Sequence, residues 1–175
     1  MIGSARARVE GLNEQLRVWI EQLRSRMGIN PEIAGRVYPP VPVYEVGREK
    51  IREFAEAVGA GHAVHRDPQA ARALGYPDVI APPTFAVIAA QRCEAALIAD
   101  PSAGIDFSRV VHGEERFVHH RPIGAGDRLV GTLVVESVKQ AGGHAMVTTR
   151  VDLATEQGEP VSTVTSTLVV RGGTE

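Results

Sequence analysis

Apolar residues at the beginning of the chain recur with the period of a helix. Six of them follow one another at steps of three or four residues: Val9, Leu12, Leu16, Trp19, Leu23 and Met27. Such spacing places them on one face of an α-helix. The pattern predicts a helix over residues 4–27 that ends at Gly28, with Pro31 just beyond. We expect residues 1–30 to be an amphipathic extension that packs on its own domain or on a partner.

The next part of the chain predicts short elements joined by loops. A proline-rich segment leads into a short strand at 43–46, and an amphipathic helix is expected over 51–58. Residues 59–67 are predicted to form a loop. Asp67 followed by Pro68 is a usual beginning of a helix, because the carboxylate caps the first turn and proline fits its first position. We expect this helix to continue to Leu74.

The remainder of the chain is one long apolar segment followed by strands. Residues 84–99 are dominated by alanine and isoleucine, which predicts a largely buried helix. Four β-rich runs come next, at 108–120, 128–139, 144–155 and 161–171. Helices separated from an antiparallel sheet indicate the α+β class. A long central helix wrapped by a curved antiparallel sheet is the hot-dog fold, which we expect over residues 36–173.

Composition narrows the function classes. The 175 residues suffice for one domain with a substantial core. The formal net charge is −2, which gives no general attraction to nucleic acid or to anionic membranes. The single cysteine, Cys93, allows no intramolecular disulfide. No apolar run reaches the roughly 18 residues of a membrane span, and the start of the sequence lacks the apolar stretch of a signal peptide. We therefore expect a cytoplasmic protein.

Three segments together resemble a known family. They are residues 44–55 (YEVGREKIREFA), 80–85 (IAPPTF) and 121–129 (RPIGAGDRL). With them, the chain from Tyr38 to about Gly172 resembles MaoC-like hot-dog (R)-hydratases and dehydratases. It is most similar to the actinobacterial branch with the FAS1-like dehydratase domain, which includes the acyl-holding subunit of the mycobacterial (3R)-hydroxyacyl-ACP dehydratase. The resemblance implies an acyl thioester substrate, linked to acyl carrier protein or to coenzyme A, and no cofactor.

The loop after the second predicted helix departs from the pattern of the active family members. Those members carry G-D-x-N-P-[LIV]-H-x-D, whose aspartate and histidine act on one water molecule at the substrate. Laid on this pattern, Gly59 takes the glycine, His62 the asparagine, His65 the catalytic histidine and Asp67 the final acid. Ala60 takes the place of the catalytic aspartate. A methyl group can neither accept a proton nor orient water, so the resemblance supplies the histidine without its acid.

A second departure lies at the start of the predicted central helix. Active members tend to have I-A-H-G there, and the glycine N–H stabilises the oxyanion that develops on the thioester carbonyl. This chain has Ile80, Ala81, Pro82 and Pro83, followed by Thr84. Pro83 aligns with that glycine and has no N–H to donate. By the resemblance we expect the substrate to bind between this segment and Gly59, Ala60 and His62.

Several histidine, cysteine and aspartate residues could have catalytic or structural roles. His65 is a surviving catalytic group or a loop histidine bonded to backbone. His62, His65 and Asp67 have irregular spacing for a structural zinc site and no cysteine beside them, so we expect no metal. Cys93 is expected to be a small buried residue. Asp127 is expected in a turn, and His112 near the edge between helix and sheet.

Three functions remain open. The first is a substrate-binding subunit, with a degenerate site, of a (3R)-hydroxyacyl-thioester dehydratase or (R)-enoyl hydratase in fatty-acid or polyketide chain building. Its partner would be a second hot-dog subunit with an intact Asp/His loop. The second is an autonomous homodimeric hydratase or dehydratase that uses His65. The third is a non-catalytic protein that binds acyl thioesters.

Overall fold

The computed structural model describes Leu16 and residues 29–172 of the chain, so the predicted N-terminal helix lies outside the described residues except for Leu16. Within 29–172, three α-helices precede or interrupt a set of six strands. The helices are α1 (Arg48–Ala57), α2 (Pro68–Ala73) and α3 (Ala86–Ile98). The strands are β1 (Val37–Tyr38), β2 (Tyr44–Glu45), β3 (Val110–His119), β4 (Arg128–Ala141), β5 (His144–Thr155) and β6 (Pro160–Val170).

All six strands join one antiparallel sheet. Its order is β1-β4-β5-β6-β3, and β2 pairs with β4 further along the same edge. The three long strands form a meander in which β4 pairs with β5 and β5 with β6. Gly142 and Gly143 close the β4–β5 hairpin with φ of 58° and 77°. A two-residue turn of this kind needs positive φ at both positions, which glycine adopts without steric cost.

Helix α3 crosses the concave face of this sheet. Buried aliphatic residues alternate along β4 and β5, and they meet the buried side of the helix, which includes Ala86, Ala89, Ala90, Cys93, Glu94 and Leu97. The helix approaches closest at Gly131 of β4, where an added Cβ would collide with the sulfur of Cys93. The opposite side of α3 is not covered within the described residues, since Gln91, Arg92 and Ala95 are exposed. The expectation of a largely buried helix therefore holds for one side only.

The predicted elements agree with the observed ones apart from small shifts. A 3-10 turn, Pro83–Phe85, precedes the central helix, and a second one, Ala63–His65, lies in the predicted 59–67 loop. Strand β1 was not predicted, because two residues beside a proline-rich segment carry no periodic signal. None of the described helices is long and apolar enough to cross a membrane. The proposed boundaries at 1–30 and 36–173 stay predictions.

Candidate active site

His65 is oriented by a backbone carbonyl. Its Nδ1 atom lies 2.7 Å from the carbonyl oxygen of Ile80, at the start of the segment that leads into α3. A carbonyl can only accept a hydrogen bond, so Nδ1 carries the proton and Nε2 keeps its lone pair. The side chain is half-buried. This is the tautomer that a general base needs, with Nε2 as the basic atom.

His62 caps the turn that leads into His65. It is the N-cap of the turn Ala63–His65, and its Nδ1 accepts a hydrogen bond from the backbone N–H of Val64 at 3.1 Å. The δ-position oxygen of an asparagine can cap a turn in the same way. His62 is exposed, and its ring centroid lies 6.4 Å from that of His65. The cap therefore stabilises the turn through a side chain other than asparagine.

The backbone around Ala60 is held by two arginines and a helix end. The N–H of Ala60 donates to the carbonyl oxygen of Ala55 at 2.8 Å, which continues the last turn of α1. The guanidinium of Arg66 donates to the carbonyl oxygen of Ala60. The Nε atom of Arg52 in turn donates to the carbonyl oxygen of Arg66 at 3.0 Å. These contacts use main-chain oxygens only, so the loop is fixed without a carboxylate at position 60.

Two aspartates close to His65 and Ile80 along the chain have other partners. Asp67 accepts a hydrogen bond from the N–H of Gln69 at 2.8 Å and so caps α2, as expected from the sequence. Asp78 accepts hydrogen bonds from both Nε and Nη2 of Arg48, and this arginine lowers the pKa of its carboxyl group. Neither aspartate replaces the acid that is missing at Ala60.

The segment before the central helix lies against the loop, as the resemblance implied. The N–H of Ile80 donates to the carbonyl oxygen of Val64 at 3.2 Å, and the N–H of Ala81 to that of Ile123 at 2.8 Å. Pro82 is buried, whereas Pro83 is exposed as the first residue of its 3-10 turn. Two consecutive residues of this segment therefore have no N–H to offer to a substrate oxygen.

Together these contacts define what the site can do chemically. His65 presents one basic nitrogen, but no described acid stands beside it, and the oxyanion donor expected at residue 83 is absent. Within the described residues no three histidine, cysteine or acidic side chains come together as metal ligands.

Several other residues of the described part of the chain have packing or turn roles. Burial raises the pKa of the Cys93 thiol to about 11, so this cysteine is an unreactive core residue. Tyr44 and Phe54 lie against Phe85, with ring centroids 6.4 and 5.4 Å from it. Asp127 sits in a turn, where its Oδ2 accepts hydrogen bonds from Arg121 and from the N–H of Gly124, each at 2.8 Å.

A groove of about 440 Å³ opens elsewhere, on the surface beside the β5–β6 turn. It is lined by His120, Asp152, Leu153, Ala154, Pro160 and Thr163. None of the predicted site residues borders it. The candidate site is thus defined by its chemistry and hydrogen bonds, and this groove does not coincide with it.

The sequence alone did not indicate how the loop is fastened. Arg52 and Arg66 donate hydrogen bonds to main-chain carbonyl oxygens. Every residue has such an oxygen, so no sequence motif predicts these contacts. The bond between His65 and Ile80 was missed for the same reason.

Comparison with known proteins decides the family. A model of the FAS1-like dehydratase domain region matches residues 33–164 of the chain. The chain belongs to this FAS1-like dehydratase family. A UPF0336 protein of Saccharopolyspora erythraea is 54% identical over 149 residues, which cover 85% of this chain and 96% of that relative.

Solved structures give the fold of this family member. It is similar to a chain of the C-terminally truncated HadBC (3R-hydroxyacyl-ACP dehydratase) complex from Mycobacterium tuberculosis, with 34% identity, a TM-score of 0.69 and coverage of 78% of this chain and 96% of the other. A MaoC-like dehydratase is also 34% identical, with a TM-score of 0.73, and the match spans 80% of this chain but only 42% of that longer one. The fold is the MaoC-like hot dog, which confirms the α+β prediction.

Proposed function

We propose that this member of the FAS1-like dehydratase family is a substrate-binding subunit of a (3R)-hydroxyacyl-thioester dehydratase or (R)-enoyl hydratase. It holds the acyl thioester, bound to acyl carrier protein or to coenzyme A, while a second hot-dog subunit with an intact Asp/His loop carries out the chemistry. The reaction class suits fatty-acid or polyketide chain building in the cytoplasm.

The observation that carries this proposal is the combination at Ala60. The loop has the hydrogen bonds of an ordered active-site loop, because Arg66 fastens the Ala60 carbonyl and His62 caps the following turn. Its acid is nevertheless missing, and Pro83 removes an oxyanion donor. Loss of a general acid or base alone costs roughly 10²- to 10⁴-fold in rate, and loss of an oxyanion donor roughly 10²- to 10³-fold. In this proposal the ordered loop serves binding, because the acid and one oxyanion donor are missing while His65 remains.

The similarity to the HadBC complex supports a partner. That structure is a complex of a dehydratase, and the matched chain is covered over 96% of its length. Within residues 29–172, strand β3 has a neighbour on one side only and one side of α3 is uncovered, and these are the surfaces that a second hot-dog subunit would cover. We infer that the chain forms a heterodimer with such a subunit. The experiment below must distinguish this heterodimer from a homodimer of the chain.

Coexpression tests this function. The chain would be produced together with an actinobacterial hot-dog protein that has an intact G-D-x-N-P-x-H loop, purified through a tag on this chain, and assayed with 3-hydroxyacyl and enoyl thioesters. We expect a stable complex whose turnover is little changed by His65→Ala here and is abolished when the loop histidine of the partner is replaced. A complex that loses its turnover with His65→Ala would contradict the proposal.

One observation favours a second function, an autonomous homodimeric hydratase or dehydratase. His65 has its Nδ1 bonded to Ile80, which leaves Nε2 as the basic atom of a working base. In that case the purified chain alone turns over the substrate. An inactive chain that still binds an acyl thioester and finds no hot-dog partner would instead indicate the third function, a non-catalytic acyl-binding protein.

A further inference from the structure

A row of polar side chains lies under the central helix, away from the candidate active site. Thr149 of β5, Ser166 of β6 and Glu115 of β3 are neighbours in the sheet, as the register pairs Thr149 with Ser166 and Ser166 with Glu115. Glu94 of α3 stands over this row. Thr149, Ser166 and Glu94 are each at most 2% exposed. Such a buried polar row must satisfy its own hydrogen bonds.

Each of the two carboxyl groups in the row accepts a hydrogen bond from a hydroxyl group. The Thr149 hydroxyl donates to Oε1 of Glu94 at 2.9 Å, and the Ser166 hydroxyl donates to Oε2 of Glu115 at 2.9 Å. Among the ion pairs of the described residues, no lysine or arginine reaches either carboxyl group. Two neighbouring carboxylates without a cation would repel each other in a medium of low dielectric constant.

The second oxygen of Glu115 has no hydrogen bond. Its Oε1 is buried and unpartnered, although the side chain as a whole is 20% exposed. The Nδ1 atom of His112, on the same strand, lies 3.5 Å away, within ion-pair distance but outside hydrogen-bond geometry. A buried acceptor without a donor is costly. A proton on Oε1 changes that atom from a lone acceptor into a donor directed toward the imidazole.

We propose that a protonated Glu115 joins edge strand β3 to the polar row beneath the central helix, with Oε2 accepting from Ser166 and the otherwise unpartnered Oε1 donating toward His112. Burial and the negative charge of Glu94 both oppose ionisation, and they outweigh the hydrogen bond from Ser166 and the nearby His112, so the pKa of Glu115 is raised. The groups that face it are Glu94 from α3, Ser166 from β6 and His112 from β3. The inference does not depend on the proposed function.

The raised pKa of Glu115 determines how the stability of the fold changes with pH. A carboxyl group with a raised pKa in the folded state binds its proton more tightly there than in the unfolded chain. Its contribution is complete below the ordinary glutamate pKa and is lost as the pH rises through the raised value. The fold therefore becomes less stable as the pH rises from the ordinary glutamate pKa toward the raised one. Protonated His112 beside an ionised Glu115 would give the same direction, so the experiment must separate the two residues.

Thermal unfolding between about pH 5 and about pH 8 tests the proposal on the full chain. We expect the Tm of the natural protein to fall by roughly 3 °C or more over this range, and the fall to disappear in Glu115→Gln, whose amide accepts from Ser166 and donates toward His112. Glu114→Gln, on the same strand but exposed, is the matched control and should keep the fall. If Glu115→Gln keeps the fall while His112→Gln removes it, the histidine is the titrating group and the proposal is wrong.

A direct titration covers the case in which a variant folds poorly. NMR of the natural protein with labelled glutamate carboxyl carbons should show one carboxyl that titrates above the ordinary glutamate range. Glu94→Gln removes the repelling charge and should move that titration to lower pH. If every glutamate carboxyl of the natural protein titrates in the ordinary range, Glu115 does not hold its proton more tightly than an ordinary glutamate and the proposal fails.

Discussion

The Nδ1 atom of His65 donates to the carbonyl oxygen of Ile80 across 2.7 Å. This one bond joins the loop that follows α1 to the segment that begins the central helix, and it sets the tautomer of the imidazole. An imidazole held in this tautomer, in a loop that has Ala60 where the family pattern has an aspartate, is the central feature of the candidate site.

The two loop histidines should have opposite tautomers. His65 donates through Nδ1, whereas His62 accepts through Nδ1 from the N–H of Val64 and so carries its proton on Nε2. We expect nitrogen NMR of the neutral rings to show one Nδ1–H form and one Nε2–H form, assigned by His62→Asn and His65→Ala. If both rings show the same tautomer, the loop geometry described above is wrong.

Restoring the acid should create activity. In Ala60→Asp a carboxylate stands at the position that the family pattern gives to the catalytic aspartate, and we expect the turnover of an enoyl thioester by the isolated chain to rise roughly 10²-fold or more. Adding Pro83→Gly restores an N–H and should increase the rate again. The control is His65→Ala in the restored background, which should remove the gain. An Ala60→Asp protein that folds and gains nothing would show that the loop is not a catalytic one.

Asp100 should govern the acid stability of the junction between β1 and the end of α3. Its Oδ2 accepts hydrogen bonds from Arg36 at 2.6 Å and from Tyr38 at 2.7 Å, while its Oδ1 accepts from the N–H and hydroxyl of Ser102. Despite partial burial, which acts in the opposite direction, these donors lower its pKa to about 2. The stability that it provides is present above the ordinary aspartate pKa and is lost as the pH falls through about 2.

The substitution Asp100→Asn tests this junction. We expect it to lower the free energy of unfolding at neutral pH by about 1–3 kcal/mol and to weaken the acid dependence of stability. Asp106→Asn is the matched control, because Asp106 caps its 3-10 turn through the same contacts with Ser108 but has neither an arginine nor a tyrosine partner among the described residues. Equal losses in the two variants, measured by denaturant unfolding, would show that only the cap matters.

Gly131 should be required for the approach of the central helix. A Cβ atom at this position would collide with the sulfur of Cys93 and lie 3.0 Å from Cδ2 of Leu153. We expect Gly131→Ala to destabilise the fold by about 1–3 kcal/mol, as overpacking does. Cys93→Ala in the same chain makes room and should recover part of the loss. If the double variant is less stable than either single one, the helix does not pack as described.

Much of the fold could be predicted because its signals are local. The alternation of β4, β5 and β6, the Gly142-Gly143 hairpin and the Asp67-Pro68 helix start each follow from a few consecutive residues. Strand β1 could not be predicted, because two residues become a strand only through pairing with distant Val134 and Leu133. The exposed side of α3 was also missed, since an alanine-rich sequence has little amphipathic contrast.

The candidate site was predictable to a smaller extent. The sequence placed His65 and Ile80 in one site through resemblance to a family, and the hydrogen bond between them agrees with that placement. It did not reveal that Arg66 fastens the Ala60 carbonyl, because the acceptor is a main-chain atom. The polar row of Glu94 and Glu115 was invisible for a different reason, as these residues lie on separate elements that only the tertiary fold brings together.

The rate of the isolated chain tests the central claim most directly. The purified protein, without any partner, would be given crotonyl and 3-hydroxyacyl thioesters linked to coenzyme A and to acyl carrier protein, beside an active hot-dog hydratase as the positive control. We expect binding of the thioesters with turnover no faster than that of His65→Ala. Robust turnover that disappears in His65→Ala would contradict the account and identify the chain as an enzyme in its own right.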